Sequence, residues 1–266
     1  MKQLPNIITL LNLFFGCIAI VYIVQPGLVP LYTNSGTLLM PDVNDSGVQY
    51  ISIPEAMFMS SLFIGLAAIV DFLDGFVARW LKATSAMGVQ LDSLADVVSF
   101  GVAPSLIVYQ FLRLSFAQQD NGLAVSFIVL LPAFIIACAG AYRLARFNID
   151  TEKTNYFKGL PIPANGLLLA SFPLIYWTNN FPVVTNILIS PWFWYVLIII
   201  LSWLMISKKP MLALKFSGFD IKKIMPFIII AIVGILSAFF IQWLAVPLCF
   251  LIYVLLSLFI KQPKSI

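Results

Sequence analysis

The sequence predicts an all-α integral membrane protein, a polytopic bundle of about eight transmembrane helices forming a single domain over residues 1–266. Three observations predict it. Hydrophobic residues make up 61% of the chain and charged residues 10%, well below the roughly 25% charged of soluble domains. Apolar runs close to the about 20 residues needed to cross a bilayer recur from end to end. The bases are also lopsided: of fifteen Lys and Arg residues, only Arg113 falls on the outer side of the eight-span arrangement, as expected when basic loops stay in the cytoplasm.

The first span, 6–24, reads as a retained helix, because no small-residue cleavage site follows it and seven further apolar spans do. A loop from Gln25 to Pro54 carries Asp42 and Asp45 and no base, which suits an outward connection. Spans 55–79, 88–112 and 124–148 follow, and then the two shortest, 162–179 and 191–206. Trp177 closes the fifth span, while Trp192, Trp194 and Tyr195 open the sixth. Amphipathic rings there are expected at the headgroup level.

An inner loop crowded with Lys208, Lys209, Lys215, Lys222 and Lys223 leads to the last spans, 224–242 and 245–260. Its charge fits membrane topology and also attraction to anionic lipid headgroups. Both termini are then cytoplasmic, in a plasma membrane of the bacterial inner-membrane kind. Cys17, Cys138 and Cys249 fall inside apolar spans and read as small core hydrophobes. Histidine is absent, which excludes imidazole as base, nucleophile or ligand. No basic stripe interleaved with aromatics points to nucleic acid.

Four of the eleven acidic residues fall between Asp71 and Asp96, at the inner ends of the second and third spans. A carboxylate at membrane depth costs about 2.5–3.5 kcal/mol on insertion scales, so four together need compensation. On a helix Asp71, Asp74, Gly75 and Ala78 share one face, and Gly88, Asp92 and Asp96 share another. Small residues leave room beside the acids. Two such faces opposed make a hard-cation site suited to magnesium, manganese or calcium rather than zinc. Phosphate chemistry commonly uses such a site: the cation can bind a diphosphate while a remaining carboxylate takes a proton from an attacking hydroxyl. Arg79 offers a fork to phosphate. Buried acids also suit an ion-coupled transporter, which leaves Gly75, Ala78 and Arg79 without a role.

The spaced set Asp71, Asp74, Gly75, Ala78, Arg79, Gly88, Asp92 and Asp96 resembles, in every fixed position, the motif of the CDP-alcohol phosphotransferase family. The resemblance implies a six-helix core over residues 1–205, often dimeric, with the basic loop and two extra helices in 206–266. It implies that Asp71, Asp74, Asp92 and Asp96 hold magnesium or manganese, with Asp96 also acting as general base. Gly75, Ala78, Arg79 and Ser85 would meet a CDP-lipid, CDP-diacylglycerol.

The opening stretch from Pro5 to Asn12 is similar to the family's first helix, which places Asn6 and Thr9 near the nucleotide. The stretches 141–148 and 157–164 resemble the serine-using members, which implies L-serine as the alcohol; glycerol 3-phosphate and inositol are the other acceptors the chemistry admits. Asn165 stands where a small residue is expected. Arg143 and Arg146, spaced i and i+3, can receive an acceptor carboxylate or a lipid phosphate, or serve topology alone.

Overall fold

The structure, a computed structural model, describes residues 3–24, 31–32, 38–39, 57–81, 83, 85–117, 125–150, 156–178, 181–212 and 221–259, without side chains at 31–32, 38–39 and 221–224. Most of the outer loop between Gln25 and Pro54 lies outside these residues. So do Lys2, Lys82, Lys153, Lys215, Lys261 and Lys264 and the side chains of Lys222 and Lys223.

All eight anticipated segments are helical. Helix α1 (Leu4–Val24) turns Pro5, Thr9, Asn12 and Gly16 inward, an i, i+4, i+7, i+11 stripe. Helix α2 (Met57–Trp80) packs along it. The third span is longer than expected. Helix α3 (Ala86–Asp96), a π-helical turn (Val97–Val102) and α4 (Ala103–Ala117) make one rod of 32 residues. The wide turn begins directly after Asp96, and such turns often mark functional sites because they rotate one helical face against the next. Here it directs Ser99 into α1, where its hydroxyl donates to the Asn12 carbonyl at 3.0 Å. Gly16 permits that approach: a Cβ there would collide with the Ser99 side chain.

The fourth span starts as a 3₁₀ stretch (Phe127–Phe134) containing Pro132, whose missing N–H disfavours regular α-winding, and relaxes into α5 (Ile135–Ile149). Helix α6 (Ile162–Thr178), at 17 residues, is shorter than a full crossing and lies at the centre, buried around most of its circumference. That suits a helix apolar on every side. Short α7 (Pro182–Leu188) meets α8 (Pro191–Ile206) at a 69° bend. Helices α9 (Ile221–Ile241) and α10 (Ala245–Phe259) form a hairpin turning at Gln242, whose φ is 48°, and Cys249 Sγ approaches the Ile230 carbonyl at 3.7 Å. Helix α10 rests on α6. Five stretches among the described residues are long and apolar enough to cross a bilayer, six if the bent α7–α8 pair is one span.

The places of three residues differ from those expected. Trp194 is fully buried, its ring stacked on Phe111 at 4.7 Å and its Nε1 donating to the Leu188 carbonyl at 2.7 Å, so it is core and not a headgroup anchor. Its position on the inward face of α8 decides this, whereas Trp192 on the outward face is exposed. Cys17 and Cys138 lie on exposed apolar helix faces and not in the core. In lipid such a face needs no polar partner.

Two small ribbons join the helices: β1 (Leu31–Tyr32) pairs antiparallel with β2 (Leu38–Leu39), and β3 (Phe157–Lys158) with β4 (Pro210–Met211). Gly159 follows β3 with φ +84°, and a Cβ there would meet the Met205 and Ser207 carbonyl oxygens at 2.5 and 2.7 Å. Only glycine fits both the backbone conformation and the space. Gly159→Ala is expected to cost at least about 1–2 kcal/mol, read as a lower unfolding temperature in detergent.

Candidate active site

The acidic faces anticipated on α2 and α3 do oppose each other, and α1 closes the third side. Oxygens of Asp71, Asp74 and Asp92 lie within 4.8 Å of one another. Asp74 is buried, while Asp71 and Asp92 are half-buried. Asp96 is buried one turn deeper, its carboxylate against that of Asp71. It stands outside the close trio. None of the four forms an ion pair with a described Lys or Arg. Like charges this close, in a membrane helix bundle, fit a bound oxygen-seeking cation: the donors are all carboxylate oxygens, hard ligands of the kind magnesium and manganese prefer.

Two hydrogen bonds from α1 orient the acids. Thr9 Oγ1 donates to Asp74 Oδ2 at 2.6 Å, and Asn12 Nδ2 donates to Asp96 Oδ1 at 3.3 Å. Asn12 was visible in the sequence but had no assigned role. Its place three residues after Thr9, on the same helical stripe, is the signal that could have found it.

A cavity of about 220 Å³ opens beside the trio, lined by Asn6, Thr9, Gly75, Ala78, Arg79 and Ser85 together with Asp74 and Asp92. Every residue expected to meet a CDP-lipid therefore lies on one surface. Gly75 faces open space, so a side chain there would intrude on the cavity. Arg79 is exposed at the last turn of α2. Ser85 caps α3 by accepting from the Gly88 amide at 3.0 Å, and Asn6 Oδ1 lies close beside Gly88.

Arg143 and Arg146 part company. Arg143 is 5% exposed, within electrostatic reach of Asp96, and its Nε has no hydrogen-bond partner. Arg146 instead donates to three backbone carbonyls, those of Ile206 at 2.6 Å and of Lys158 and Ser207 at 3.1 Å. It ties the end of α8 to the β3 strand. A nearby contact, Asn148 Nδ2 to Ser93 Oγ at 2.8 Å, joins α5 to the acid-bearing helix.

The sequence profile described as CDP-alcohol phosphatidyltransferase matches residues 2–192. Three curated proteins, each named CDP-diacylglycerol–serine O-phosphatidyltransferase, are similar to the chain. The one from Helicobacter pylori (strain J99) is 42% identical over 113 residues, covering 42% of this chain and 44% of that protein. The one from Bacillus subtilis is 40% identical over 115 residues, 43% of this chain and 60% of that protein. The one from Methanocaldococcus jannaschii is 46% identical over 109 residues, 41% of this chain and 47% of that protein. The chain thus spans about half the length of the curated relatives it matches.

Proposed function

The chain belongs to the CDP-alcohol phosphatidyltransferase family, and on that premise we propose that it transfers the phosphatidyl group of CDP-diacylglycerol to L-serine, giving phosphatidylserine and CMP. The observation that carries this reading is the small-walled cavity lined by Asp74 and Asp92, two of three clustered carboxylates, with a fourth buried behind them. Serine as the alcohol is supported by the names of the relatives.

Asp71, Asp74 and Asp92 would hold a divalent cation, magnesium or manganese, and when bound it supplies the positive charge that lets a diphosphate approach these acids. Gly75 and Ala78 leave space for the donor, Arg79 offers its guanidinium to a phosphate, and Asn6, Thr9 and Ser85 border the nucleotide. Asp96 accepts the proton of the serine hydroxyl as that oxygen bonds to the phosphorus nearer the lipid. The bond from this phosphorus to the CMP oxygen breaks, and CMP departs with the electron pair. Asn12 holds Asp96 in place. Arg143 receives the serine carboxylate, while Arg146 keeps its structural ties. An inner-membrane location, cytoplasmic termini and site, and a homodimer belong to the same reading.

The purified full chain in detergent, given manganese and CDP-diacylglycerol, is expected to release CMP when serine is added, and not when glycerol 3-phosphate or inositol is added. Release with another alcohol alone would reassign the acceptor. Solute accumulation in proteoliposomes with no CMP under any metal would replace the enzyme by a transporter.

A further inference from the structure

We propose that the C-terminal hairpin completes the acceptor side of the site, with Tyr253 and Ser257 of α10 acting as positioning residues for Arg143. The inference rests on Arg143 as the serine carboxylate site, and it adds a part of the chain that lies beyond the family match, which ends at residue 192. Arg143 is buried, has no ion pair among the described residues and keeps an unpartnered Nε. A buried cation in that condition favours an arriving anion. How well it serves depends on what fixes its position.

Two rings flank the guanidinium, Phe147 at 6.0 Å and Phe157 at 5.8 Å. Phe147 belongs to α5 and travels with Arg143. Phe157 does not: it stands on β3, directly across from Met211 of β4. The next residue, Leu212, is held at both backbone groups by α10. Its N–H donates to Ser257 Oγ at 3.2 Å, and its carbonyl accepts from the Tyr253 hydroxyl at 3.1 Å. Ser257 is buried, and the Tyr253 hydroxyl is itself within electrostatic reach of Arg143.

Tyr253 and Ser257 are spaced i, i+4, so one face of α10 presents both groups to the backbone of one residue, Leu212. That contrasts with α9, whose large side chains Ile232, Ile235 and Phe239 are exposed, as a lipid-facing helix requires. The path from α10 through Leu212, the β3–β4 ribbon and Phe157 ends on the guanidinium. The donor cavity, formed by α1, α2 and α3, shares none of it.

Tyr253→Phe keeps the ring and removes one hydrogen bond. It is expected to raise the serine KM about fivefold or more, with the KM for CDP-diacylglycerol and the manganese dependence unchanged. Ser257→Ala, which removes the other hold on Leu212, is expected to give the same split. In the Tyr253→Phe, Phe157→Leu double variant the effects on serine KM are expected to fall short of additive, because both act through one path. Equal changes in donor and serine KM, no change in either, or full additivity would overturn the proposal. No serine-dependent CMP release by the unaltered protein would instead overturn the acceptor assignment beneath it, so the two failures read differently.

Discussion

Asp96→Asn is expected to lower serine-dependent CMP release by at least about 10²-fold, the usual loss when a general base is removed, while the protein stays folded. Both halves of that expectation follow from where Asp96 sits. Its carboxylate is buried beyond the close trio, where Asn12 donates to one oxygen and Asp71 lies against it. An asparagine has the same shape and leaves the Asn12 contact possible through its carbonyl oxygen. It also takes one negative charge out of a crowded group, which relieves repulsion. Thermal unfolding in detergent without added metal should therefore be unchanged or higher for the variant. Manganese binding, measured by the stabilisation it confers, should persist, since Asp71, Asp74 and Asp92 are intact. A variant that turns over near the normal rate would remove Asp96 from the chemistry.

Much of this site was legible in the sequence because helical spacing is rigid arithmetic. Asp71, Asp74, Gly75 and Ala78 could only share a face, and four acids within 26 positions of an apolar chain needed an answer that solvent could not give. The cavity lined by Asn6, Thr9, Arg79 and Ser85 sets one face of α1 beside the other two helices. What spacing could not divide was labour within the cluster. The i+4 step from Asp92 to Asp96 makes them look equivalent, and only the packing of α1 puts one beside the cavity and the other behind it. The π-helical turn after Asp96 was likewise invisible, since its residues Val97–Val102 read as ordinary apolar helix.

The arginines teach the converse. Arg143 and Arg146 at i and i+3 share a face by spacing, yet the chain returning at β3 and at the end of α8 offers carbonyls within reach of Arg146 alone. Long-range backbone placement separates two residues that local periodicity pairs. Trp194 shows the same limit, since its neighbours Trp192 and Tyr195 suggested an interface belt while α8's inward face drew it under Phe111. Periodicity predicts faces, and tertiary packing decides what each face meets.

Asp92→Asn should fail in a different way from Asp96→Asn, and the contrast separates holding a cation from moving a proton. Asp92 lines the donor cavity and contributes one of three oxygens gathered within 4.8 Å. Removing it would take away one proposed ligand and leave two acids whose repulsion is smaller, so the folded chain would have less need of a cation and less grip on one. Changing residues that merely support ligands typically costs 10–100-fold in metal affinity, so the manganese concentration for half-maximal activity should rise at least about tenfold. Activity at saturating manganese should recover in part, because the proposed base, Asp96, is intact. A chelator should abolish CMP release by the unaltered protein, with manganese restoring it. If Asp92→Asn kept its manganese dependence while losing turnover at every metal concentration, Asp92 would belong with the reacting groups, and the division between a metal-holding trio and a single buried base would be wrong.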